Sequence, residues 1–340
     1  MSKGTILYAN TINFAFDLQQ RPHHILKILS DRGWHVIWCN QYQDKNILRE
    51  RLNENLTIYH NWEVCKKRHH EVDIYFSTWS YRFVDLEDIK CKLVLYDSVD
   101  NFKENSIHEK DMIDKSDIVF TTSKPLYDIR KHEHNNVNMC RNACFPECGL
   151  ADYNIPDDLN RIKQNGKPII LFSGAVAGHP QNGWVDINLM ELISQKYNLV
   201  IVGKLWGIQN PPTGSYFLGN KNYAELQAYY HHCDVSILPF RVCQTSIYSN
   251  PIKIYEALAH GKITVSTNIP ESYSFFNSVL VSKDNNEFID NIEFALKVKD
   301  KQSTINKCLE YASENSWYKR VDVIEESIQK YCTENNISFL

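Results

Sequence analysis

Apolar residues along this chain fall into two alternating patterns. Short, nearly continuous runs rich in β-branched and aromatic residues occur at residues 5–9, 35–39, 56–59, 74–77, 93–96 and 118–121, and each reads as a strand. Between the first two, Ile25, Ile28 and Leu29 fall at helical spacing and Gly33 stops them, so the chain opens strand, helix, strand. That order implies a right-handed parallel crossover. Residues 152–166 are polar, carry Pro156 and have little apolar periodicity, which reads as a linker. A second series follows, with strands expected at 167–172, 199–203, 234–240 and 263–267 and a helix on Trp184, Ile187, Leu189, Met190 and Ile193. Residues 315–331 close the chain as an amphipathic helix with Val321, Ile324 and Ile328 on one face. The pattern predicts two α/β domains, residues 1–160 and 161–315, and a terminal helix over 316–340.

Composition narrows the class. At 340 residues the chain exceeds one core of typical size, and 43% hydrophobic with 23% charged residues is ordinary for a globular protein. A formal charge of -4 argues against a nucleic-acid partner. The short run Lys66-Lys67-Arg68 with His69 and His70 reads as solvated surface. The 10 cysteines are scattered, several in apolar strands, as reduced buried thiols are; Cys140, Cys144 and Cys148 lack a Cys-x-x-Cys pair, so no structural metal is expected. No signal-peptide pattern opens the sequence and no apolar run is long enough to cross a bilayer, so the expected compartment is the cytoplasm. Peripheral contact with the inner membrane face stays open, with Arg130-Lys131, His132 and His134 the nearest candidate against an ordinary helix surface. The first turn lacks Gly-x-Gly-x-x-Gly, which argues against a dinucleotide-binding dehydrogenase.

The strongest chemical signal lies at residues 249–262. Ser249 and Asn250 are helix-capping types, Pro251 suits a first helical position, Ile252, Tyr255 and Ala259 trace an apolar stripe, and Gly261 stops it. A helix N-terminus presents N–H groups and partial positive charge, so Ser249 and Asn250 could hold a phosphate while Lys253 adds a full charge. Glu256, one turn on, could reach a sugar hydroxyl. The bland alternative is a capped helix packed on a sheet. Gly174, after an expected strand, would let backbone approach a phosphate; Lys204, after another, could neutralise a diphosphate or be an exposed loop lysine. Near the N-terminus, Arg21, His23 and His24 are anion or acceptor contacts or simply decorate a helix start. Asp97 and Asp100 follow a buried strand, where carboxylates could accept from hydroxyls, stabilise a developing positive charge, or merely cap a loop.

The string Ser-Asn-Pro-Ile-Lys-Ile-Tyr-Glu at 249–256 resembles the nucleotide-sugar signature of GT-B glycosyltransferases, particularly retaining enzymes of family 4 and a bacterial subgroup with teichuronic-acid and capsule glycosyltransferases. The Gln-Arg-Pro-His-His run at 20–24 and Tyr-Asp-Ser-Val-Asp-Asn-Phe at 96–102 resemble motifs of the same subgroup. The resemblance implies two Rossmann-like domains with parallel sheets facing a central cleft. The first would bind the acceptor through Arg21, His23 and His24, the second the nucleotide-sugar, and the last helix would pack back on the first. It implies Glu256 on the nucleoside ribose, Gly174, Lys204, Tyr248, Ser249, Asn250 and Lys253 elsewhere on the donor, and Asp100, then Asp97, as catalytic-region residues. The family's usual first Glu falls here on Tyr248, whose hydroxyl could replace it.

The implied activity is transfer of a sugar from a nucleotide-diphosphate sugar to a glycan, lipid-linked or other acceptor in surface polysaccharide or glycoconjugate synthesis. It is expected to retain anomeric configuration and to need no metal or other cofactor. A non-catalytic nucleotide-sugar-binding subunit, supported by the Tyr248 departure, and a nucleotide-sugar epimerase or hydrolase of the same fold remain alternatives.

Overall fold

The computed structural model describes residues 3–14, 19–42, 48–101, 106–178 and 183–339. It divides into two compact units, Met1–Arg141 with Trp317–Leu340, and Asn142–Ser316. The division comes well before the expected linker. Residues 152–166 include a helix, Asp157–Lys163, whose only buried residues are Leu159 and Ile162. Both join the core of the second unit with Ile169, Leu171 and Val200. Two apolar positions in a polar stretch anchor one short helix, too few to register as a periodic pattern.

In the first unit, β1 (Thr5–Tyr8), β2 (His35–Cys39), β3 (Arg49–Asn53), β4 (Leu56–Tyr59), β5 (Glu71–Ser77), β6 (Lys90–Ser98), β7 (Ile118–Thr121) and β8 (Val137–Met139) form one sheet in the order β3-β4-β2-β1-β5-β6-β7-β8. Neighbours are parallel except the β3–β4 pair. In the sheet centre Ile6 lies between Val36 and Ile74. A parallel sheet needs both faces covered, and the apolar runs read as strands are continuous for that reason. Leu7, Ile37, Tyr75, Tyr96 and Val119 form the core on one side. The closing helix Trp317–Asn335 belongs to this unit and buries Trp317, Val321, Ile324, Ile328 and Cys332. Its Glu325 takes Lys3, Arg32 and the Trp34 indole N–H, each at 2.7–2.8 Å.

The second unit repeats the plan. Strands β9 (Ile169–Ser173), β11 (Asn198–Val202), β13 (Tyr216–Phe217), β14 (Val235–Leu238), β15 (Thr264–Thr267) and β16 (Val279–Ser282) form a parallel sheet in the order β13-β11-β9-β14-β15-β16. A two-residue pair, β10 (Val176–Ala177) with β12 (Leu205–Trp206), continues beyond β9 and β11. The helices Ile187–Lys196, Ile252–Ala259, Asn285–Val298 and Gln302–Glu314 bring Leu189, Ile254, Phe288 and Cys308 into a core with Phe172, Ile237 and Val265. Among the described residues no helix is long and apolar enough to cross a membrane.

Candidate functional site

The helix expected around residues 249–262 forms over Ile252–Ala259, but its start differs from the sequence expectation. Pro251 is the N-cap, extended at φ -72 and ψ 118, rather than the first helical residue. Its carbonyl accepts from the Ile254 N–H at 3.3 Å. Ser249 and Asn250 therefore lie too far upstream to cap. The Ser249 hydroxyl turns back to the Ser246 carbonyl at 3.0 Å. Asn250 is buried: its Oδ1 accepts from the Asn142 N–H at 2.8 Å and the Tyr255 hydroxyl at 3.2 Å, and its Nδ2 donates to Glu271 at 2.8 Å. Both side chains hold the turn in shape. Tyr248, half-buried, ends the short helix Gln244–Ile247 just before it.

Lys253 lies on the first turn of this helix, with its ammonium 4.9 Å from the centre of the Phe172 ring and 5.0 Å from that of Phe240. Among the described residues it enters no ion pair. Burial pulls it down to about 8, partly opposed by Glu256. The ammonium reaches over Gly174, where a Cβ would stand 2.8 Å from Nζ. Gly174, at φ +119, supplies a backbone conformation that a side chain disfavours. The turn after β11 packs directly on it: a Cβ on Gly203, at φ +152, would sit 2.0 Å from the Gly174 carbonyl oxygen. Gly174 N–H donates to Val202 and Gly203 N–H to Gly219, at 2.8 and 2.9 Å. Lys204 has an exposed side chain, and its carbonyl accepts from Val176 at 2.7 Å.

Glu256 follows Lys253 by three residues, so both project from one side of the helix. It is buried, and its Oε2 accepts from the Tyr230 hydroxyl at 3.0 Å, while the Ser173 hydroxyl bonds to that phenol in turn. Burial pushes the Glu256 carboxyl up to about 7, with the Tyr230 hydrogen bond and Lys253 opposing. The second unit thus gathers Gly174, Lys253 and Glu256 at the carboxyl ends of β9 and β11, where open α/β sheets hold ligands. An ammonium over aromatic faces and a glycine turn suits a diphosphate, and a fixed carboxylate one turn away suits a diol. Ser173, Tyr230, Phe172 and Phe240 had no local signal, since each meets the helix only through the fold.

In the first unit, Arg21 and Asp97 meet as a buried ion pair, Nε to Oδ2 at 2.6 Å and Nη2 to Oδ1 at 3.1 Å. Arg21 also donates to the Arg141 carbonyl at 3.0 Å and is 1% exposed, so its guanidinium does not face solvent. Burial works against its charge, and Asp97 overrides that effect, holding it above the ordinary range. His23 is a helix cap: its Nδ1 accepts from the Gln20 N–H at 3.0 Å, and Nε2 lies 3.0 Å from the Asn13 carbonyl. His24 stacks on Trp317 with ring centres 4.9 Å apart. Burial lowers both imidazoles, His24 to about 3, with His23 and Lys27 adding to the latter. Asp100 is half-buried, and burial followed by the charge of Asp97 raises its carboxyl to about 6.

Of the candidate docking residues, Arg130 is 5% exposed and spends its guanidinium on Glu109, Glu133 and Ser98, at 2.7, 2.7 and 3.2 Å, whereas Lys131 and His132 are exposed.

Comparison with known proteins bears on the fold and on the second unit. Residues 167–297 match the family described as Glycosyl transferases group 1. Sucrose-phosphate synthase from Thermosynechococcus elongatus superposes with a TM-score of 0.74 at 13% identity, over 97% of this chain and 99% of that one. The Anabaena protein Alr3699/HepE, in complex with UDP, gives 0.69 at 14% identity, over 97% and 100%. The α,α-trehalose 6-phosphate synthase of Burkholderia multivorans gives 0.71 at 10% identity, over 98% and 100%. No curated protein sequence matches. The matched stretch lies within the second unit, and the chain has the GT-B fold of these neighbours.

Proposed function

We propose that the chain is a glycosyltransferase that holds a nucleotide-diphosphate sugar at the start of the helix Ile252–Ala259, a reading the family match over residues 167–297 supports. It transfers that sugar to a glycan, lipid-linked or other acceptor in surface polysaccharide or glycoconjugate synthesis, with retention and without a metal ion. One observation carries the reading: an ammonium without a carboxylate partner among the described residues, lying over a glycine turn at the carboxyl edge of a parallel sheet. A diphosphate supplies the missing negative charge, and helix N–H groups add to it. The UDP held by the Anabaena neighbour supports a uridine donor.

Glu256 takes the ribose hydroxyls with the oxygen that Tyr230 leaves open, and Ser173 fixes the phenol that orients it. Tyr248, Ser249 and Asn250 shape the turn beneath the donor, the last two through the hydrogen bonds described. In the first unit Asp97 is committed to Arg21. Asp100 is therefore the carboxyl available to the reacting sugar or the acceptor, and Arg21, His23 and His24 support the acceptor side by holding its loop.

Nucleoside-diphosphate release from UDP-, GDP- and TDP-sugars, with and without extracted lipid-linked glycans, tests the proposal. Release that depends on acceptor, keeps the donor's anomeric configuration and survives chelator is expected. Loss on chelation, restored by manganese, contradicts the metal-free part. Donor binding without turnover under any condition favours a non-catalytic subunit, for which Tyr248 in the family's Glu position is the supporting feature. Release without acceptor favours a hydrolase or epimerase.

A further inference from the structure

The basic run at residues 66–70 plays no part in the sugar transfer above, yet the fold gives it company. In the first unit the β3–β4 pair sets Arg49 opposite Tyr59 and Arg51 opposite Thr57. Strand alternation puts both arginines on the face of Thr57 and Tyr59. Glu50 between them turns to the other face, where its carboxylate lies 3.5 Å from His60. His69, just past the helix Trp62–Arg68, hydrogen-bonds the Tyr59 hydroxyl at 2.9 Å, and His35 opens β2 beside them. His35, Arg49, Arg51, Thr57, Tyr59 and His69 line a groove of about 290 Å³.

None of the six is acidic, in a chain whose formal charge is -4. Arg51 is positioned by the carbonyls of Asn53 and Glu54, at 3.0 and 2.7 Å, neutral acceptors that orient its fork without cancelling its charge. Burial and the two arginines keep the imidazoles beside them neutral. Burial lowers His69 to about 4, and His35, Arg68 and Arg49 push it the same way; burial and Arg51 lower His35.

We infer that this groove binds the phosphate group of a small soluble anion, a phosphate monoester or a diphosphate. The Arg49 fork matches phosphate oxygens bidentately, Arg51 adds its charge and the N–H groups that Asn53 and Glu54 leave, and imidazole and hydroxyl groups complete the donor set. The concavity accommodates a compact anion, where a lipid surface would favour exposed lysines on a convex face.

The test uses the full-length protein and inorganic pyrophosphate. Proton NMR of the His35 and His69 imidazoles should show a saturable shift and a rise in both pKa values, since a bound anion stabilises imidazolium. Arg49→Gln and Arg51→Gln should each weaken the response about tenfold or more while nucleotide-sugar binding stays unchanged. Phosphatidylglycerol vesicles form the second arm. Vesicle binding that both variants abolish, with no response to pyrophosphate, overturns the soluble ligand in favour of a lipid headgroup. Silence in both arms at millimolar anion overturns the site and leaves the arginines as charged guards of an exposed sheet edge.

Discussion

Alanine at Gly203 tests the glycine corner on which the proposed donor site is built. The added Cβ would lie 2.0 Å from the Gly174 carbonyl oxygen and 2.5 Å from its carbon, against backbone that no rotamer change can move aside. Carbon–oxygen contacts normally begin near about 3.3 Å, so one turn has to retreat by more than about 1 Å. Overpacking of that kind costs about 1–3 kcal/mol. Placing alanine at φ +152 adds about 1–2 kcal/mol of backbone strain. Gly219→Ala is the control, because Gly219 has φ +70 but nothing within 4 Å of its would-be Cβ, and only the backbone cost applies. At about 2–4 °C per kcal/mol, Gly203→Ala should lower the melting temperature by about 4–20 °C and Gly219→Ala by about 2–8 °C, with Gly203→Ala the lower of the two. Scanning calorimetry of both variants, with and without saturating nucleotide-sugar, reads the difference. Equal melting temperatures would refute the close approach of the two turns. A destabilised Gly203→Ala that keeps wild-type nucleotide affinity would separate the corner from the donor site.

Other perturbations address the buried charges. The Glu256 carboxyl titrates near 7 in the folded protein against an ordinary 4.5, so between those values the native state holds the extra proton and stability falls as pH rises. The fall attributable to this group is about 3 kcal/mol across the window, and Glu256→Gln should flatten it in urea titrations at stepped pH. Tyr230→Phe removes the hydroxyl that serves Glu256 and should cost about 1–3 kcal/mol while moving the Glu256 titration further up, readable in the same pH series. Asp97→Asn strands a buried guanidinium and should cost about 3–5 kcal/mol; a double variant with Arg21→Met should recover part of it, and an additive result would contradict the pairing.

The sheets were legible because parallel strands covered on both faces carry uninterrupted apolar runs, as at 35–39 and 118–121. β3 was not legible: Arg-Glu-Arg-Leu-Asn is exposed throughout and becomes a strand only by pairing with β4. The helix bearing Lys253 and Glu256 was found, but its start was misplaced by one residue because Pro251 serves as an N-cap as readily as it opens a helix. Asn250 consequently reads as a cap in the sequence and is a buried bracket between Asn142 and Glu271 in the fold. Arg21 and Asp97 were each singled out for chemistry; that they neutralise each other depends on strand order joining residues 76 positions apart. The Ser173–Tyr230–Glu256 chain is likewise a tertiary product, with no spacing to announce it.

Calorimetric titration of UDP-glucose into the wild type and into Lys253→Gln tests the central claim most directly. An ammonium that meets the donor diphosphate contributes a charge-assisted hydrogen bond, so the substitution should weaken binding roughly 10- to 100-fold, and Lys204→Gln should weaken it less. If Lys253→Gln binds every nucleotide-sugar of a uridine, guanosine and thymidine panel as tightly as the wild type does, the start of the helix Ile252–Ala259 is not where the donor sits.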